Sequence, residues 1–117
     1  MTVHLLQRVA LAAALVPALA GAAPPASRAA PVQAGRVLSV AIEDMHFAPA
    51  TLAVRPGDRV VWVNKDLVPH TVTARDGRFD SKSIPAGKSF VWVAAGAGRV
   101  DYACLYHPTM AAALTLP

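Results

Sequence analysis

Residues 100–116 decide the fold, and they read Val-Asp-Tyr-Ala-Cys-Leu-Tyr-His-Pro-Thr-Met-Ala-Ala-Ala-Leu-Thr-Leu. Side chains of a β-strand point alternately to its two faces, so Val100, Tyr102 and Cys104 would share one face of a first strand. The two leucines near the end of the stretch would share one face of a second strand. A short loop therefore joins two predicted strands.

The same alternation recurs upstream in short segments. Those with apolar side chains on one face are residues 38–42, 52–54, 60–62, 72–74 and 90–92. Glycine and proline separate them, for example in Pro56-Gly57 and Asp76-Gly77. Seven or eight short strands at this spacing, without a helical period of useful length, are typical of an antiparallel β-sandwich. We therefore predict an all-β domain.

The first 20 residues resemble a secretory signal peptide. A basic start without acids precedes an apolar run at residues 9–19, and small residues mark a cleavage site between residues 20 and 23. An uncleaved membrane anchor is the alternative. It is disfavoured because Pro17 interrupts the run, which is shorter than the ~20 residues that span a bilayer. We expect export, to a bacterial periplasm, without stable membrane insertion after cleavage.

Residues 21–35 contain Pro, Ala and Gly without periodicity and are expected to form a flexible tether. The folded domain would then span residues 36–117, which is enough chain for one domain. The chain has a net charge of +4, but its basic residues stand singly among acids instead of forming a stripe. We therefore do not expect nucleic-acid binding, although the charge would suit weak attraction to an acidic partner.

The chain contains one cysteine, Cys104. A lone cysteine cannot close an internal disulfide, and it cannot supply a zinc or iron–sulfur site built on several thiolates. It begins the motif C-x-x-H-x-x-M, which places His107 and Met110 within seven residues of it. A second histidine, His70, stands upstream at the start of another predicted strand. Four potential metal ligands are therefore available.

Thiolate, two imidazoles and a thioether are the ligands of a trigonal copper site with a weak axial Met. Zinc would accept Cys104 and His107, but it prefers further thiolates or carboxylates. Taken singly, Cys104 and Met110 could be core residues, and His70 could be a turn residue. Their coincidence favours one type 1 copper ion bound by His70, Cys104, His107 and Met110.

Further motifs stand in a fixed order along the chain. They are Met45-His46-Phe47-Ala48-Pro49, residues 54–66, Pro69-His70-Thr71-Val72, Phe79-Asp80-Ser81 and the Cys104 loop. Together they resemble the cupredoxins, the blue-copper family that includes plastocyanin, pseudoazurin and amicyanin. The resemblance covers about residues 37–116, and the loop is most similar to that of amicyanin. It implies a Greek-key β-sandwich with His70, Cys104 and His107 as equatorial ligands and Met110 as the axial one.

Three other positions bear on the surroundings of such a site. Asn64 would match an asparagine whose side chain ties neighbouring loops together, or it would be an ordinary turn residue. Thr71 stands where some relatives have Asn, and Ala112 stands where relatives often have Gly. These departures concern the loop backbone and the hydrogen bond to the cysteine sulfur, both of which tune a metal site.

The resemblance implies an electron carrier and not an enzyme. Such a protein passes single electrons between transient redox partners as a monomer, while its copper alternates between Cu(II) and Cu(I). His107, surrounded by Leu105, Pro108 and Pro69, would be the exit for the electron. An envelope copper-binding or delivery protein and a copper-free interaction module are the alternatives. The chain has only three methionines, which favours the carrier over the delivery protein.

Overall fold

The fold is that of a computed structural model, which describes Ala10, residues 12–15, Pro17, Gly21 and residues 35–117. The predicted leader and tether therefore lie mostly outside the described residues. Within residues 35–117 the regular structure consists of eight strands. They are β1 (Val37–Glu43), β2 (His46–Ala48), β3 (Thr51–Ala53), β4 (Arg59–Asn64), β5 (Thr73–Ala74), β6 (Ser89–Val93), β7 (Gly98–Ala103) and β8 (Ala111–Leu116). In the described part of the chain, no helix has the length and apolar character needed to cross a membrane.

The strands form two four-stranded sheets. The first has the strand order β2-β1-β4-β6 and the second has the order β3-β8-β7-β5. Most neighbours are antiparallel, but β1 pairs in parallel with β4 and β3 pairs in parallel with β8. The predicted β-sandwich is confirmed, and its sheets are mixed. The parallel pairs arise because the chain crosses to the second sheet as β3 before it returns to the first as β4.

Alternating burial places one face of each sheet in a common core. The fully or nearly buried side chains of the central strands are Val40, Ile42, Val60, Trp62, Val100, Tyr102, Leu114 and Leu116. Trp62 of the first sheet packs edge to face against Tyr102 of the second, with ring centroids 5.6 Å apart. Large aromatic side chains therefore join the two sheets, and their burial stabilises the sandwich.

A two-residue turn joins β1 to β2, and the sequence pattern does not predict this short hairpin. Both turn residues, Asp44 and Met45, have left-handed backbone φ angles of 51° and 62°. This conformation is typical of the tight turns that match the twist of a hairpin. Strand β2 buries only one side chain, that of Phe47, so it lacks the alternating pair of apolar residues that would mark a strand in the sequence.

The two ends of the sandwich carry different features. At one end, buried Asp58 accepts hydrogen bonds from the backbone N–H groups of Arg36 and Arg55. At the other end, β4 finishes at Asn64 and β7 finishes at Ala103. The loops that follow these two strands contain all the candidate ligands.

Candidate metal centre

The loop from Cys104 to Met110 is closed by its own backbone. The Cys104 N–H donates to the Met110 carbonyl at 3.1 Å, and the Met110 N–H donates to the His107 carbonyl at 2.9 Å. These bonds continue the pairing of β7 with β8, which ends at Ala103 and Ala111. The loop is therefore a short, tied connection between two strands, and it carries three of the four candidate ligands.

His70 comes from the other loop and is held by an isolated bridge to Ile84. The His70 N–H donates to the Ile84 carbonyl at 3.2 Å, and the Ile84 N–H donates back at 2.7 Å. The His70 ring is fully buried, and its Nδ1 atom lies 3.7 Å from Cys104 Sγ. The His107 ring lies beside it, with ring centroids 5.4 Å apart. The fold thus brings together residues that are 34 positions apart.

The spacing of these donors can be compared with the size of a metal ion. Metal–imidazole and metal–thiolate bonds of about 2.0 and 2.3 Å, at a trigonal angle of about 120°, separate nitrogen from sulfur by about 3.7 Å. The observed distance between His70 Nδ1 and Cys104 Sγ is 3.7 Å. The pair therefore fits a shared metal ion, and the soft donor set suits copper.

The other two candidate ligands, His107 and Met110, differ in their exposure. In residues 35–117 and the few described residues before them, no three His, Cys, Asp or Glu side chains converge as a closed cluster. His70 and Cys104 are the close pair, His107 is adjacent and partly exposed, and the Met110 side chain is buried with 4% of its surface exposed. Of the four candidate ligands, His70 and Cys104 thus form a close pair, and the His107 ring lies beside it.

Thr71 links the two loops through both its backbone and its side chain. Its N–H donates to Cys104 Sγ at 3.3 Å, and its hydroxyl accepts the Leu105 N–H at 2.8 Å. The departure from Asn at this position therefore leaves the hydrogen bond to sulfur in place. Ala112 is likewise accommodated, because it pairs regularly with Tyr102 in the sheet.

The surroundings of Cys104 favour its thiolate form. Burial alone would raise the pKa of the thiol, but hydrogen bonds from backbone N–H groups to the sulfur, with that of Thr71 the strongest, outweigh it. The net pKa of Cys104 lies below its ordinary value. Since the thiolate is the form that binds metal, this environment is suited to a metal ligand.

Asn64 closes the loop that leads to His70, in line with the expectation from the resemblance. It is fully buried, and its amide donates to the carbonyls of Val68 and Ile84, each at 2.9 Å. Its side-chain oxygen accepts the Asp66 N–H at 3.0 Å. All three bonds fix the backbone that carries His70.

Sequence reasoning misses Asp66, whose carboxylate contacts the far side of the His70 ring. Asp66 Oδ2 lies 2.8 Å from His70 Nε2. Burial alone would raise the pKa of Asp66, but hydrogen bonds from the N–H groups of Met45 and Asp44 and from His70 outweigh it and hold the pKa low. The only signal in the sequence is an acid four positions before a candidate ligand, and that spacing has no meaning without the loop geometry.

Exposed apolar side chains lie on the two loops that carry the candidate ligands. Leu67 is 96% exposed and Leu105 is 63% exposed. Pro69 and Pro108 are exposed as well, and they flank His70 and His107 in sequence. The sequence does not predict the exposure of Leu67, because no local pattern distinguishes an exposed loop leucine from a buried one.

Comparisons with known proteins identify the family to which the fold belongs. A family model described as a cupredoxin-like domain matches residues 9–116. Amicyanin from Paracoccus versutus is 31% identical over 87 residues, which are 70% of this chain and 65% of that protein's length. The solved Cu(I) form of an amicyanin variant is 26% identical with a TM-score of 0.65, covering 69% of this chain and 82% of that one.

A purple cupredoxin from Nitrosopumilus maritimus also matches, with 24% identity and a TM-score of 0.62. The match covers 68% of this chain and 99% of that one. At this identity the likeness concerns the fold alone, and it extends over almost the whole length of the purple cupredoxin.

Proposed function

Because the chain belongs to the cupredoxin-like family, we propose that it carries single electrons through one type 1 copper ion. His70, Cys104 and His107 would be the equatorial ligands, and Met110 would be the axial one. The observation that carries the proposal is the buried pair of His70 Nδ1 and Cys104 Sγ, 3.7 Å apart. The likeness to amicyanin, which has been solved in a Cu(I) form, supports copper over other metals.

Copper would supply a charge that changes between Cu(II) and Cu(I), and the chain would supply a fixed frame. Such a frame favours electron transfer because ligands that stay in place need little rearrangement. The Thr71 N–H holds the sulfur of Cys104, and Asn64 holds the loop that carries His70. These residues thus position metal donors, which supports a role as an electron carrier.

The cellular setting is also part of the proposal. The leader-like composition of residues 1–20 supports export to the periplasm, with the carrier released as a monomer and not inserted in the membrane. Its partners would be redox proteins that dock transiently on the exposed apolar loops, with His107 as the electron exit. Small apolar contacts suit short encounters, and no nucleic acid is involved.

Addition of Cu(II) to the purified protein separates the three candidate functions. An electron carrier gives intense blue absorption at one copper per chain, and Cys104→Ser abolishes the colour because the thiolate is lost. Tight Cu(I) binding without colour would support a delivery protein. Absence of binding would support an interaction module, and either of these last two results would contradict the proposal.

A further inference from the structure

The Asp66 carboxylate connects two parts of the molecule that are far apart in sequence. It accepts hydrogen bonds from the backbone N–H groups of Asp44 at 2.8 Å and Met45 at 3.1 Å. The same group lies 2.8 Å from His70 Nε2. The β1–β2 turn and the His70 ring therefore share one carboxylate.

The turn is shaped to hold an anion. Asp44 and Met45 are consecutive turn residues with left-handed φ angles, and their two successive N–H groups donate to one carboxylate, as N–H groups of a turn can when they bind an anion. That carboxylate belongs to Asp66, whose own backbone N–H donates to the side-chain oxygen of Asn64. The carboxylate is thus fixed from the turn side and from the loop side, and its remaining contact is with His70.

This contact decides which ring nitrogen of His70 carries the proton. A carboxylate accepts hydrogen bonds and does not donate them when ionised, so the His70 proton belongs on Nε2. The lone pair of Nδ1 is then free on the side of Cys104 Sγ. Partners of this kind fix the orientation of a ligating histidine and increase its basicity.

We propose that Asp66 is a positioning residue for the metal site, which orients His70 and makes it a stronger donor to the oxidised ion. The inference rests on the proposed function for its effect on copper, whereas its effect on the His70 ring does not depend on copper. Both carboxylate oxygens are needed, because three donors converge on them. Asparagine offers one acceptor oxygen and would leave part of the set unpaired.

The first test uses the copper-free protein and nuclear magnetic resonance. The wild type is expected to show a slowly exchanging proton on His70 Nε2, and Asp66→Asn is expected to weaken or lose this signal. Asp76→Asn removes the same charge from an exposed hairpin and should leave the signal intact. A proton on His70 Nδ1 in the wild type would overturn the inference, even if no Asp66 variant folds.

The second test measures the reduction potential of the copper-loaded protein. Loss of such partners typically changes metal affinity by about tenfold or more, and a tenfold loss of Cu(II) over Cu(I) affinity in Asp66→Asn converts to a rise of about 59 mV. Asp76→Asn is expected to shift the potential far less. Equal potentials in the two variants would overturn the inference, whereas a wild type that binds no copper would contradict the proposed function instead.

Discussion

At the scale of single residues, Thr71 shows how one side chain can secure two loops. Its backbone N–H reaches Cys104 Sγ, and its buried hydroxyl accepts the N–H of Leu105, the next residue of the ligand loop. A hydroxyl from Thr73 donates to the same oxygen at 3.1 Å. Thr71 therefore holds the loop of the candidate ligands in place without being a candidate ligand itself.

Thr71→Val keeps the shape of the side chain and removes its acceptor oxygen. We expect the free energy of unfolding of the copper-free protein to fall by about 1–3 kcal/mol, because the Leu105 N–H loses its partner. Urea denaturation would measure this change. Thr51→Val, on an exposed strand position, is the matched control, and an equal loss in both variants would contradict the assigned role of Thr71.

At the scale of elements, Asp58 fastens the start of β1 to the turn before β4. Its carboxylate accepts the N–H groups of Arg36 and Arg55, and it lies 2.8 Å from the Arg36 guanidinium. The hydrogen bond from the Arg36 side chain is the main cause that lowers the pKa of Asp58 to about 2, with the Arg55 N–H adding to it. The two parallel strands are thus joined at the end opposite the candidate site.

This lowered pKa predicts a pH dependence of stability. The folded pKa is below the unfolded value of 3.8, so the stabilising contribution is present above about pH 4 and is lost as the pH falls towards 2. Urea unfolding of the copper-free protein at a series of acidic pH values would measure the loss. Asp58→Asn should reduce the slope in this window, and a slope equal to that of the wild type would refute the assignment.

The elements also show what the sequence can and cannot predict. Alternation identifies β1, β4, β7 and β8, because a period of two needs only local information. The parallel pairing of β1 with β4 depends on crossovers between sheets, which no local pattern contains. The candidate ligand motif can be predicted, because the spacing of Cys104, His107 and Met110 is also local information. The contact of Asp66 with His70 cannot be predicted in this way, because the Asp66 carboxylate is held by the β1–β2 turn, which is distant in sequence.

For the molecule as a whole, the exposed apolar side chains near the candidate site bear on how a redox partner would dock. The exposed apolar side chains of Leu67 and Leu105 lie on the ligand-bearing loops, while the Asp58–Arg36 pair occupies the other end. A partner that docks on the loops approaches the candidate site directly, and small apolar patches form weak, short-lived complexes.

Leu105→Glu is expected to slow electron transfer without changing the colour of the copper-loaded protein. Two copies that meet through their loops would then bring like charges together, so self-exchange between reduced and oxidised protein should slow by about tenfold or more at low salt. Ser39→Glu adds the same charge to an exposed position of β1 and should have a smaller effect. Equal rates in the two variants would argue against docking through the loops.

The proposed function requires one copper ion between the loop of His70 and the loop of Cys104. A crystal structure of the copper-loaded protein, with anomalous difference density measured at the copper edge, would locate the ion. We predict one peak bonded to His70 Nδ1, Cys104 Sγ and His107, with the sulfur of Met110 at a longer distance. A peak at any other position, or coordination through His70 Nε2, would contradict the claim.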